Sequence, residues 1–227
     1  MVSGAPEEGI DRLPRLWHLL SLSENLHRVL EEAIVNGDLP PWSRLNVDRL
    51  ARQLGVSIIP VRETLRALEA QGWVRFRPRY GAYVRAYSRV EALEVHEARQ
   101  VLEAEVSSLA AKHRTPESLA KLLVLVENGE SAAQRNEPEE FLRINADFHG
   151  AVASVAQNSV LAELSDLLAL RVRFYFASAV SYRMVESATE HRRIYEAIEV
   201  GDRRRAATLA RRHVAATRAK LATVFSE

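Results

Sequence analysis

Apolar residues recur at three- and four-residue intervals along most of the chain, with one short stretch where they alternate instead. From Leu22 the apolar positions are Leu22, Leu26, Val29, Leu30, Ala33 and Ile34, which predicts an amphipathic helix with one buried stripe, stopped by Asn36-Gly37. After a proline-containing turn from Leu39 to Trp42, the positions Val47, Leu50, Ala51 and Leu54 predict a short second helix, closed by Gly55 in a left-handed cap. Ser57 predicts the N-cap of a third helix, with Pro60 in its first turn, Val61, Leu65 and Leu68 on its inner face, and a stop at Gln71-Gly72. Trp73 to Arg77 and Ala82 to Arg85 then flank the turn Pro78-Arg79-Tyr80-Gly81, which predicts a two-stranded hairpin. Two helices around a tight glycine turn, followed by a hairpin, form the pattern of a winged helix-turn-helix.

From about Val90 the helical period returns and persists. Thr115-Pro116, Asn136 with Glu139, Asn158-Ser159 and Gly201-Asp202 all read as helix boundaries, the second as a capping box. They divide this half into six helices, at about 90–113, 116–135, 137–156, 160–179, 183–200 and 202–224. No strand-like alternation interrupts them, so the half reads as a six-helix antiparallel bundle. The expected fold class is mainly α, an N-terminal winged helix-turn-helix followed by that bundle. The expected domains are a disordered lead-in over 1–14, the winged helix-turn-helix over 15–87, and the helical domain over 88–227.

Composition changes this picture in two places. The 227 residues suit two domains, and the absence of cysteine excludes disulfides, thiolate metal sites and cysteine nucleophiles. The net charge is only +1, yet Arg62, Arg66, Arg75, Arg77, Arg79 and Arg85 crowd the third helix and the wing against only Glu63 and Glu69. Arg62 and Arg66 share a face opposite Val61, Leu65 and Leu68, as a helix in a major groove requires. Arg77 and Arg79, at the hairpin tip, are candidates for phosphate or minor-groove contact. No apolar run approaches the roughly 20 residues of a membrane span, and Met1 to Arg12 lacks the apolar centre of a signal peptide, so a cytoplasmic protein is expected. Among the tryptophans, Trp73 reads as winged-helix core, and Trp17 and Trp42 as packing residues.

Three of the seven histidines, His149, His191 and His213, sit singly on predicted bundle helices in apolar surroundings, with Asn145 one turn before His149. Imidazoles converging in a bundle core suit a divalent transition metal, zinc or nickel, with Asn145 as an oxygen ligand; the alternative is three separate histidines, each satisfied by a hydrogen bond. His18, His27, His96 and His113 have no partner at ligand spacing and read as ordinary.

The stretch Gly37 to Leu45, then Leu50-Ala-Arg-Gln-Leu-Gly-Val-Ser57, Pro60-Val-Arg-Glu-Thr-Leu-Arg-Ala-Leu-Glu69, Gly72-Trp-Val74 and Arg79-Tyr-Gly-Ala-Tyr-Val84, resembles the winged helix of the GntR family of bacterial regulators. The helices after it resemble the FCD-type ligand-binding domain of that family's FadR-like branch. The resemblance implies operator DNA touched by Arg62 and the backbone around Gly81, with Ser57 near a phosphate; because one recognition helix reads only a few base pairs, a homodimer on a palindromic site is expected. Arg49, Ile58, Ile59, Arg66, Arg77, Arg79 and Tyr80 complete the candidate DNA surface. Most members carry Arg-Thr where this chain has Ile58-Ile59, and often an arginine where it has Asp48. That departure implies a different operator or apolar contact with thymine methyl groups.

One branch of the family carries Asp-x-x-x-His on one helix and single histidines on the last two, which Asn145, His149, His191 and His213 resemble with asparagine in place of the aspartate. The resemblance also implies a small carboxylate effector at the metal's open positions, with Arg99 matching an arginine that lines the pocket; the alternative for Arg99 is a surface ion pair with Glu103. Arg171, Arg173 and Tyr175 are further effector candidates. Three histidines around an open position also suit a zinc hydrolase, but no His-Glu-x-x-His or comparable motif occurs, and a regulator rather than an enzyme is expected.

Overall fold

The structure is a computed structural model that describes residues 17–86, 88–176 and 183–224, with residues 17–21, 175, 176 and 224 described by their backbone alone. The expected lead-in over 1–14, the packing of Trp17 and the end of the fourth bundle helix beyond 176 lie outside the described residues. The chain forms two compact units, one up to Ala86 and one from Tyr87 onward.

In the first unit, α1 (Trp17–Val35) packs against α3 (Ile58–Ala70), and α2 (Val47–Leu54) leans on α3. Leu26, Leu30 and Ile34 of α1 and Val61, Leu65 and Leu68 of α3 are buried, each contributing roughly 1.5–3 kcal/mol relative to an exposed side chain. Asn46 caps α2 by accepting the Arg49 N–H at 3.0 Å, and Gly55 closes it at φ 67°, where a side chain would be strained. Ser57 occupies the N-cap of α3, but its hydroxyl makes no capping bond. The strands are β1 (Arg44–Leu45), β2 (Val74–Arg77) and β3 (Gly81–Val84), ordered β1-β3-β2 and antiparallel throughout. The expected hairpin is thus one strand larger. Two residues are too short to show a period, and β1 exists because Leu45 is buried where β3 leaves an edge to pair. Trp73 is buried and donates its indole N–H to Glu31 at 3.0 Å, joining wing to α1. Trp42, expected to pack, is instead 61% exposed beside Arg77, whose guanidinium lies 5.3 Å from its ring.

The second unit is all helix among the described residues: α4 (Arg89–His113), α5 (Pro116–Gln134), α6 (Pro138–Val155), α7 (Ser159–Phe176), α8 (Met184–Glu199) and α9 (Arg203–Val224). The long helices α4 and α9 lie against each other, α5 packs on α6 and α8, and α7 closes against α4 and α6. Local chemistry sets the boundaries. Ser88 accepts the Glu91 N–H, Thr115 and Ser118 form a reciprocal capping box ahead of Pro116, and Asn158 and Asp202 cap α7 and α9. The box expected from Asn136 and Glu139 does not form. Pro138 takes the first helical position of α6 and makes Glu137 the cap residue, while Asn136, at φ 56°, terminates α5 in the left-handed conformation asparagine tolerates.

Two cores run through the bundle. Phe148, Val152, Ile194, Ile198, Leu122 and Ala210 anchor one; Phe141, Ile144, Met184 and Leu221 anchor the other. Because Ile198 is fully buried, Ile198→Ala is expected to lower stability by about 2–5 kcal/mol, read from urea unfolding; a loss below about 0.5 kcal/mol would contradict this packing.

Candidate DNA-reading surface and buried histidine centre

The exposed side of α3 carries Ile58, Ile59, Arg62 and Arg66, with Ser57 at its start and Arg49 exposed on α2. Ile59 is 69% exposed, an apolar side chain with no core to enter. Arg62 makes no ion pair among the described residues, whereas Arg66 is tethered: it donates to Glu69 at 2.8 Å and lies 3.9 Å above the Phe76 ring. Glu69 also accepts the Phe76 N–H at 3.0 Å, and this bond, followed by Arg66, holds its carboxyl below the usual range. The base of the wing is therefore pinned to α3. At the wing tip Arg79 turns the chain at φ 68°, Tyr80 is 66% exposed, and Gly81 follows at φ 95°. Arg77 is sandwiched near the Trp42 and Tyr83 rings, at 5.3 and 5.2 Å.

Deep in the bundle, His149 of α6, His191 of α8 and His213 of α9 converge, with ring centroids 4.8–5.3 Å apart and one candidate ligand atom from each lying within 4.8 Å of the others. The His149 Nδ1–H donates to Glu103 Oε2 at 2.8 Å, and the His213 Nδ1–H to Glu190 Oε2 at 2.7 Å. Glu103 also accepts from Arg99, and Glu190 from Arg183 at 2.7 Å, while Arg183 donates to Thr217 at 2.8 Å. His191 has no carboxylate of its own; it stacks on Phe148 at 4.4 Å and on Phe141 at 6.4 Å. The Nε2 atoms of His149 and His191 are buried without a hydrogen-bond partner.

Burial dominates the electrostatics of His149 and His191. It lowers His149 to about 4 against the opposing pull of Glu103, and it drives His191 well below the normal imidazole range, helped by His213 and His149. Burial works the other way on the carboxyls, but Arg99 and His149 outweigh it at Glu103, as His213 and Arg183 do at Glu190, so both are held low. The result is that His149 and His191 are held neutral beside His213 and two carboxylates, a donor set suited to a divalent cation.

Asn145 sits half-buried on α6 one turn before His149, and Asp147 points to Arg143 on the exposed side. Arg99 is buried and its pair with Glu103 is an interior one; both line a cavity of about 40 Å³ with Ser107, His149, Gly150 and Ser165. Arg171 is bound to Glu91 at 3.0 Å, and Arg173 has a partner as well. The side chain of Tyr175 lies outside the described residues. His96, read as ordinary, is fully buried on α4, with Nδ1 2.8 Å from the Ala92 carbonyl and Nε2 unpartnered. Glu103 and Glu190 went unassigned as histidine partners because their links cross between helices, where spacing along one helix carries no signal.

These two sets of residues, an exposed arginine-bearing helix with its wing and a buried polar centre in a helical bundle, define a winged-helix transcriptional regulator with a helical second domain. Residues 22–84 match the GntR family of bacterial regulatory proteins and residues 94–216 match the FCD domain, and the chain belongs to that family. It is 31% identical over 186 residues to the probable D-xylose utilization operon transcriptional repressor of Paenarthrobacter nicotinovorans, covering 81% of each chain. It is 29% identical over 153 residues to the transcriptional regulator McbR of Escherichia coli, covering 67% of this chain and 69% of that one. The solved structure of E. coli McbR has the same fold, with a TM-score of 0.76 at 24% identity over 90% of this chain and 98% of that one. The matching families and relatives are transcriptional regulators, not enzymes. No helix among the described residues is long and apolar enough to cross a membrane.

Burial brings His149 and His96 down to about 4 in the folded chain, against about 6.5 for an imidazole in water, so the unfolded chain binds more protons throughout that interval. Their stabilisation is complete above about pH 6.5 and is lost as pH falls toward 4. The urea midpoint of the metal-free protein is therefore expected to drop steadily between about pH 7 and pH 4.5. A midpoint that holds level or rises over that interval would contradict the buried neutral rings.

Proposed function

We propose that this protein is a ligand-responsive repressor that binds a palindromic operator as a cytoplasmic homodimer and responds to a small carboxylate effector. The division of labour would follow the chain, with residues 15–87 reading DNA and residues 88–227 binding effector and partner subunit. The observation that carries the effector reading is the convergence of three imidazoles, one of which, His149, lines a cavity together with Arg99. Two of those rings bury an unpartnered Nε2, which a coordinated cation would satisfy, so the residues present fit a divalent transition metal such as zinc or nickel. His149, His191 and His213 would hold it, with Asn145 as an oxygen donor from one turn away. When bound, such an ion would offer an open coordination position to a carboxylate.

The cavity's small size favours a compact effector, and Arg99 supplies a guanidinium at its wall. Arg171 is the weaker effector candidate, since Glu91 already engages it, and Tyr175 is retained from its place on α7. Glu190 spends one oxygen on His213 and the other on Arg183, so no spare carboxylate there serves as a hydrolytic base.

On the DNA side, Arg62 is the first choice for base contact, being exposed and without an ion pair on the outer face of α3. Ile58 and Ile59 would meet thymine methyl groups, and Ser57, whose hydroxyl is not spent on capping, would meet a phosphate. Arg49, Arg66, Arg77, Arg79, Tyr80 and the Gly81 backbone would complete the contact. A repressor role is supported by the name of the Paenarthrobacter relative. Effector binding would shift the bundle between two packings with different operator affinity, a coupling of about 1–3 kcal/mol, or roughly 5–150-fold.

Arg62→Ala is expected to weaken operator binding by about 1–3 kcal/mol in a mobility-shift titration at fixed salt, and unchanged affinity would remove Arg62 from the interface. The double variant His191→Ala/His213→Ala is expected to emerge free of transition metal in elemental analysis where the unaltered protein carries about one equivalent per chain. Full retention of metal by the double variant would end the three-histidine reading.

A further inference from the structure

Two relays of the same composition converge on the histidine cluster. Arg99 and Glu103 of α4 reach His149 on α6; Arg183, immediately ahead of α8, and Glu190 of α8 reach His213 on α9. In each relay one carboxylate oxygen accepts from the guanidinium and the other from the imidazole: Oε1 of Glu103 faces Arg99 and its Oε2 faces His149, while Oε1 of Glu190 faces Arg183 and its Oε2 faces His213. A carboxylate can only accept, so the ring nitrogen turned toward it must carry the hydrogen. In a neutral ring that leaves Nε2 as a bare lone pair. At His149 this Nε2 is buried with nothing to meet it. An imidazole without such a partner samples both tautomers, and in one of them Nε2 carries the hydrogen and cannot ligate a cation.

We infer that Glu103 and Glu190 are positioning residues that turn the Nδ1–H of His149 and His213 toward themselves, so that a cation site is preassembled with asparagine, not aspartate, at position 145. The inference rests on the reading of the cluster as a cation site. Arg99 and Arg183 act one step further out. Each ties up the carboxylate oxygen that the ring does not use, so Glu103 and Glu190 cannot turn away from their histidines without parting a guanidinium from its carboxylate, and Arg99 is itself buried. His191, held by Phe148 and Phe141 stacking and by no carboxylate, depends on its neighbours for orientation.

The test uses the full-length, metal-free protein with nitrogen-15 in its histidine rings, whose ring-nitrogen shifts report the tautomer, together with zinc affinity from competition against a chromophoric chelator. In the unaltered chain His149 and His213 are expected to carry hydrogen on Nδ1 alone. Glu190→Ala should release His213 to mixed tautomers and weaken zinc by roughly 10–100-fold, whereas Glu190→Gln, whose amide oxygen still accepts, should keep the tautomer and recover part of the affinity. Because Glu103 lies inside the bundle, the matching variant is the double change Arg99→Met/Glu103→Leu, which leaves no buried charge behind and should release His149. Zinc affinity and the His213 tautomer both unchanged in Glu190→Ala would overturn the inference. Rings protonated at Nε2 in a chain that does bind zinc would overturn the positioning role alone, and locked Nδ1–H rings in a chain that takes up no zinc would overturn the cation site beneath it.

Discussion

A ring nitrogen buried among helices has to end on a hydrogen bond or a metal, because leaving it bare costs on the order of 1–3 kcal/mol. The second unit of this protein places three imidazoles from α6, α8 and α9 within one small volume and provides carboxylates for only two of them, each through Nδ1. That arrangement constrains everything around it. Glu103 must come from α4 and Arg183 from the approach to α8, so helices distant in sequence are tied to a common point. The apolar cores above and below, around Phe148 and Ile198 on one side and Phe141 and Met184 on the other, pack against a polar centre whose geometry is set by charge pairs. Phe141 and Phe148 belong to those cores and also stack on His191, so packing and site share residues.

The first unit spends its polar groups in the opposite way. Its core is apolar, and its arginines are distributed over an exposed helix face and wing. Internal contacts still grade them. Arg66 is bound to Glu69 and Phe76, and Arg77 lies against Trp42 and Tyr83, which leaves Arg62 among the least committed cations on the outer face of α3. An arginine already spent within the fold has to give up that contact to reach a nucleic acid, whereas Arg62 does not. The Glu69 bridge from α3 to the Phe76 backbone also means that helix and wing move as one reading head.

Much of the fold was legible because helix ends are written in local chemistry. Gly55, Thr115 before Pro116, Asn158 and Asp202 each do what their side chains and neighbours dictate. Where local signals competed, reading was harder: Asn136 suits both an N-cap and a left-handed stop, and Pro138 decides between them by taking the first helical position. The two-residue β1 had no period to read, and Trp42 shows that a large apolar residue in a turn need not pack inward. In the candidate site the histidines could be named one by one, since each stands alone on its helix. Their partners could not. Glu103 was visible as the i+4 neighbour of Arg99, but its second bond, to His149, depends on how α4 meets α6, and Glu190 serves a ring on the next helix and not the histidine beside it.

The central claim is that the three rings form one cation site. Crystals grown with zinc and measured at its absorption edge test it directly. One strong anomalous peak per chain is expected, about 2.0–2.1 Å from a nitrogen of each of His149, His191 and His213, with the Nδ1 atoms of His149 and His213 still on Glu103 and Glu190. Rings bridged by water or by one another, with no anomalous density between them at saturating zinc, would contradict it.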